Sequence, residues 1–171
     1  MALKDWLLEL PGIGKVRRVH ALEHATITLL SRRLGRVSMV GRSTPQGFWL
    51  YGNVKQDDLQ QAVEEALQRL QAGEASLAIH PRCGTNLAVA GLLTGVSSFL
   101  ATFSFNKEES AIDKLPRMIL AATGAMIVAG PAGLAVQEAV TTCPDASYLS
   151  IGNIKRNKRG NVTTYFVEVK G

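Results

Sequence analysis

His20-Ala21-Leu22-Glu23-His24 places two of the chain's three histidines four positions apart. On a helix that spacing stacks both imidazoles on one face, one turn apart, close enough to chelate a single metal ion. Glu23 lies three residues after His20 on nearly the same face. A carboxylate there can take a proton from a metal-activated water without being a ligand itself. The chemistry that such a set performs is hydrolysis, with His20 and His24 as metal ligands and Glu23 as the catalytic base.

The third histidine, His80, stands in the segment His80-Pro-Arg-Cys83-Gly-Thr-Asn. A catalytic zinc site takes three protein ligands and keeps one position open. His80 is the expected third ligand of a Zn2+ ion, with Cys83 as the alternative; Glu138 and Asp145 are carboxylates that could serve instead. Other chemistries are missing their signatures. The P-C-x-x-C of zinc deaminases, a glycine-rich phosphate loop and a serine nucleophile elbow are all absent from the sequence.

The elements that must position these residues follow from periodicity and breakers. Residues 15–34 read as the helix bearing the histidine pair, with Val16, Val19, Leu22, Ile27 and Leu30 among its apolar positions and Gly35 as its stop. The preceding MALKDWLLEL reads as an amphipathic helix ended by Pro11-Gly12, suited to a membrane interface or to the domain core. VSMVG and GFWLYGNV flank the turn RSTPQ as a β-hairpin, and GFWLYG is expected to offer an edge strand to an extended peptide. Asp57 or Asp58 is expected to cap a helix through Leu70 that Gly73 ends. SLAIH reads as a short strand leading to His80, and SYLSIGNIK with TTYFVEVK forms a second hairpin across NKRG.

Between these elements lies an apolar middle. Arg82 and Lys107 are separated by 24 residues without a charge, and Arg117 and Glu138 by 20. Each run is long enough to cross a bilayer as a helix, at about 84–105 and 116–137. Gly91 and Gly95, and Ala121, Ala125, Ala129 and Gly133, repeat at the four-residue spacing that lets helices approach closely, within a hairpin or across a homodimer. The expected fold is an α+β soluble domain combined with a two-helix transmembrane hairpin: residues 1–82, the hairpin at 83–138, and a β-hairpin at 139–171 that packs with the first part.

Composition agrees with that division. Hydrophobic residues make up 46% and charged residues 19% of the 171, which excludes a disordered chain, and two cysteines exclude a disulfide scaffold. Net charge is +5, with eight Lys/Arg against three Asp/Glu in residues 1–44 and five against one in residues 146–171. Sixteen of the 19 Lys/Arg lie outside the segment joining the two runs, so both termini are expected on the cytoplasmic side of a bacterial inner membrane. In that reducing compartment Cys83 and Cys143 are expected as free thiols. The basic ends carry no aromatic platform, so anionic lipid rather than nucleic acid is the expected partner.

HALEHATITLL, GFWLYG, and AIHPRCGTNLAVAGLL followed by two apolar helices resemble an uncharacterised bacterial membrane-protein family, a domain of unknown function. The resemblance covers about residues 18–145. It implies that the H-x-x-E-H and H-P-x-C-G-T-N segments belong together, and it supplies no activity. The five-residue motif is also similar to that of inverzincin peptidases, where two histidines bind zinc and the glutamate is the base. The downstream glutamate ligand of those longer enzymes cannot be placed in this chain.

The expected function is a membrane-anchored zinc hydrolase, a metallopeptidase acting on peptides or membrane proteins at the cytoplasmic face. The alternative is a non-enzymatic membrane assembly or scaffold subunit with a structural or empty histidine cluster.

Overall fold

Pro11 opens a helix. Helix α1 (Pro11–Leu34) starts with proline in its first turn, where the missing N–H has no intrahelical partner to lose, and it ends at Gly35 with φ 75°. The computed structural model describes residues 8–35, 38–103, 109–159 and 162–171, so the expected helix at the extreme N-terminus falls largely outside the described residues. From Val19 to Ile27 every residue of α1 is buried except His20, which is half-buried. The histidine pair therefore rides on the central helix of the core.

Strands β1 (Val40–Thr44) and β2 (Gly47–Tyr51) form the first hairpin, and its turn is shorter than expected. Arg42, Ser43 and Thr44 pair with Trp49, Phe48 and Gly47, leaving Pro45-Gln46 as the connection. The Thr44 hydroxyl donates to the Gly47 carbonyl at 2.8 Å and closes the turn. Helix α2 (Gln56–Gln71) follows Lys55, and no side chain caps it. Asp57 and Asp58 instead lie in its first turn, where carboxylates complement the helix dipole. SLAIH is not a strand. Residues Ala75–Ala78 form a 3-10 turn with Leu77 and Ala78 buried, and His80 follows it.

Strands β3 (Ser150–Arg159) and β4 (Val162–Lys170) form the second hairpin, and Asn157, Lys158 and Arg159, expected in its turn, pair as strand. The sheet order is β1-β2-β4-β3, antiparallel throughout. GFWLYG is thus an interior strand whose two edges are already paired, so it cannot take up a peptide; β1 and β3 are the sheet edges. The inward face carries Phe48, Leu50, Tyr165, Val167 and Val169, which join Leu22 and Leu30 of α1 and Leu59 and Val63 of α2 in one core. The Tyr165 hydroxyl donates to the Val54 carbonyl at 2.8 Å, satisfying both groups inside that core.

The chain divides into two compact units, residues 1–80 with 138–171, and residues 81–137. The second unit contains helix α3 (Gly84–Leu100) packed against helix α4 (Ala111–Val136). Helix α4 begins earlier than the charge-free run suggests because Ser110 and Asp113 form a capping box at its start. Near the other end Gly133 gives Asn86 its space, since a Cβ there would lie 2.5 Å from the Asn86 Oδ1. Gln137 Nε2–H donates to that oxygen at 2.6 Å. Residues Gln137–Thr141 continue the chain as a π-type turn. One described helix, Ala111–Thr141, is long and apolar enough to cross a membrane; α3 is shorter, at 17 residues. The fold is α+β, with four α-helices and one four-stranded sheet among the described residues.

Candidate metal centre

Successive helical residues are turned by about 100°, so Glu23 and His24 flank the His20 line at about 60° on one side and 40° on the other. Side chains on those two flanks meet different neighbours. The rings of His20 and His24 lie 4.2 Å apart by centroid, and their ligand nitrogens lie within 4.8 Å of each other. The His80 ring lies 5.9 Å from that of His24. His24 thus stands between His20 and His80 as the ring neighbour of each, all three in the first unit. His24 is 2% exposed, while His20 and His80 are half-buried.

Two backbone carbonyls orient the pair. His20 Nδ1–H donates to the Thr141 carbonyl at 2.9 Å, and His24 Nδ1–H donates to the Ala78 carbonyl at 2.7 Å. A carbonyl can only accept, so the neutral imidazoles carry their proton on Nδ1 and their lone pair on Nε2. Both carbonyls come from the ends of short turns, Ala78 closing the 3-10 turn and Thr141 closing the π-type turn. Terminal carbonyls of this kind lack partners within their own turn. Arg17 ties the same segment to α1, with its Nη2–H donating to the Thr142 carbonyl at 3.1 Å and its own carbonyl accepting from the Cys143 N–H at 3.1 Å. Ligating histidines characteristically hold their second nitrogen in such a bond, which sets tautomer and ring direction. The His20–His24 pair has the spacing and lone-pair placement to hold a metal ion.

Glu23 turns to the other flank, toward β1. Its Oε2 accepts from the Ser43 hydroxyl at 2.5 Å, and the carboxylate lies over Gly41, where a Cβ would stand 1.9 Å from Oε1. The residue is 5% exposed. Gly41 therefore serves as the floor of the Glu23 pocket. Gly41→Ala should force the carboxylate to move and destabilise the protein by about 1–3 kcal/mol, the usual cost of overpacking. Thermal unfolding of the purified variant measures it, and an unchanged melting temperature would disprove this contact.

The two carboxylate alternatives, Glu138 and Asp145, are both exposed. The Ser147 hydroxyl and backbone N–H donated to Asp145, aided by the Arg18 charge, hold its carboxyl below the usual carboxylate range. Cys83 opens the second unit as the N-cap of α3, its sulfur accepting from the Thr85 N–H at 3.4 Å, and among the described residues neither Cys83 nor Cys143 forms a disulfide. Sequence reasoning missed Gly41, Ser43, Ala78 and Thr141. The first two lay in or beside an expected turn, and the last two act through backbone atoms that no residue type advertises.

A domain of unknown function, DUF6391, matches residues 15–154. An uncharacterized protein of Picosynechococcus sp. is 36% identical over 174 residues, which cover 94% of this chain and 83% of the relative. No solved structure matches the chain. The matched stretch contains the histidine pair, Glu23, the β1–β2 hairpin, His80 and both apolar helices, and the chain belongs to the DUF6391 family.

Proposed function

We propose that this protein is a membrane-anchored, zinc-dependent hydrolase, a metallopeptidase whose site lies at the cytoplasmic membrane face. The observation that carries the reading is the pair of Nδ1–H bonds from His20 and His24 to backbone carbonyls, which presents two Nε2 lone pairs one helical turn apart. His80 is the third ligand in this reading. Cys83 is the alternative, a softer donor that three residues of chain keep within about 11 Å of His80. A zinc ion held there would supply Lewis acidity and make a bound water easier to deprotonate near neutral pH. The buried Glu23 carboxylate is the base for that water, and Ser43 holds it in one orientation.

The anchor is the α3–α4 pair acting as a two-helix transmembrane hairpin. Leu87, Leu92 and Phe99 on α3 and Ile119, Leu120 and Ile127 on α4 are large apolar side chains left exposed, a surface that hydrocarbon accommodates and water does not. With sixteen of the Lys/Arg outside the connection, the termini stay in the cytoplasm. Tags at either terminus should then resist external protease in intact cells, while a tag inserted near Ser110 should be cleaved. Cleavage of a terminal tag from outside would reverse the topology.

One observation favours a second reading, a non-catalytic membrane assembly subunit with a structural metal. Glu23 and His24 are both buried, and a substrate must reach the site past them. Metal analysis of purified full-length protein tests the shared part of both readings, with about one zinc per chain expected. Protein that is metal-free from a zinc-replete preparation and takes up none on titration would sink both. Peptide hydrolysis by the zinc-loaded chain then separates them.

A further inference from the structure

The sheet face opposite the core carries a row that no single segment of the sequence contains. Arg42 pairs with Trp49, Trp49 with Phe166, and Phe166 with Lys155, one residue from each strand. The Trp49 and Phe166 rings, on the two central strands, lie 4.8 Å apart by centroid at 47°. Both rings are half-buried, and the cations at the two ends of the row are exposed. The neighbouring row on the same face, Val40, Tyr51, Thr164 and Asn157, adds a third ring and two hydrogen-bonding side chains.

Adjacent half-buried rings on a sheet face offer π-surface to a base, whereas residues that anchor a protein in a bilayer project several ångströms into it. Base stacking on aromatic faces is sequence-tolerant, and cations beside the rings take the phosphates. The row spans three interstrand spacings, about 14 Å, room for two bases side by side with a phosphate at each end. A lone nucleotide would engage half of it, and a duplex keeps its base faces stacked internally.

We propose that this face binds single-stranded nucleic acid, stacking successive bases on Trp49 and Phe166 and pairing the flanking phosphates with Arg42 and Lys155. The proposal is independent of the metal centre. It also replaces the expectation of no nucleic-acid partner, because the missing aromatic platform is built between distant strands.

The test uses the full chain in nanodiscs of phosphatidylcholine alone, with Trp6→Phe so that Trp49 is the sole tryptophan reporter. A short oligouridylate or oligothymidylate should quench Trp49 and bind measurably below about 100 μM. Trp49→Leu and Phe166→Leu, read by the anisotropy of labelled oligonucleotide, should each weaken binding about tenfold or more. Because either change can unsettle the sheet, the exposed pair Arg42→Gln/Lys155→Gln carries the test by itself, and should weaken binding and flatten its salt dependence. Absence of binding, duplex bound as tightly as single strand, or affinity unchanged in the Arg42→Gln/Lys155→Gln pair would overturn the proposal. So would quenching of Trp49 by brominated phosphatidylglycerol with no response to oligonucleotide, since the face would then dock on the bilayer.

Discussion

Glu23→Gln should fold, insert and keep its zinc while losing at least about a hundredfold in peptide hydrolysis, the usual scale of a general base. The substitution keeps size and shape, so the carboxamide still fits over Gly41 and its oxygen still accepts from Ser43. What it removes is the proton acceptor. Replacing a buried anion with a neutral amide also relieves desolvation, so instability is not the expected cause of lost activity. Wild-type protein that cleaves nothing across a broad peptide library, or a variant as active as wild type, would end the hydrolase reading. Loss of zinc together with activity would make Glu23 a ligand or an orienting group and favour the assembly subunit.

His20→Ala and His24→Ala should each weaken zinc binding by more than about a hundredfold, since loss of even an outer hydrogen-bond partner of a ligand costs 10–100-fold. The two variants differ in a useful way. His24 is 2% exposed, and its removal leaves the Ala78 carbonyl buried without this donor, a cost of about 1–3 kcal/mol in stability apart from any metal. His20 is half-buried, so His20→Ala is the cleaner readout. Zinc titration of purified variants, alongside their melting temperatures, separates ligand loss from unfolding. Affinity unchanged in His20→Ala would remove the metal centre. Comparing His80→Ala with Cys83→Ala identifies the third donor as the one whose loss releases zinc.

Local geometry alone determined part of this protein. Residues four apart on a helix share a face wherever that helix packs, so the His20–His24 pair was legible from spacing. The α+β class was legible in the same way, from helical periodicity over Val19–Leu30 and Leu59–Leu70 and from alternation in TTYFVEVK. The two apolar helices were legible as uncharged runs. Their ends were not, because the Ser110–Asp113 capping box extends α4 into the charged segment.

Tertiary structure decided what those residues meet. SLAIH could have been a strand by composition, yet it coils into a 3-10 turn that buries Leu77 and Ala78 and aims the Ala78 carbonyl at His24. GFWLYG reads equally well as an edge or an interior strand, and its place between β1 and β4 depends on a partner more than a hundred residues away. Register follows from that pairing, since strand side chains alternate faces and a slip of one residue would send Trp49 and Phe166 into the core. The same long-range placement sets Gly41 and Ser43 beneath Glu23. Helical spacing is a property of the backbone itself, whereas these contacts depend on which surfaces the whole chain buries together.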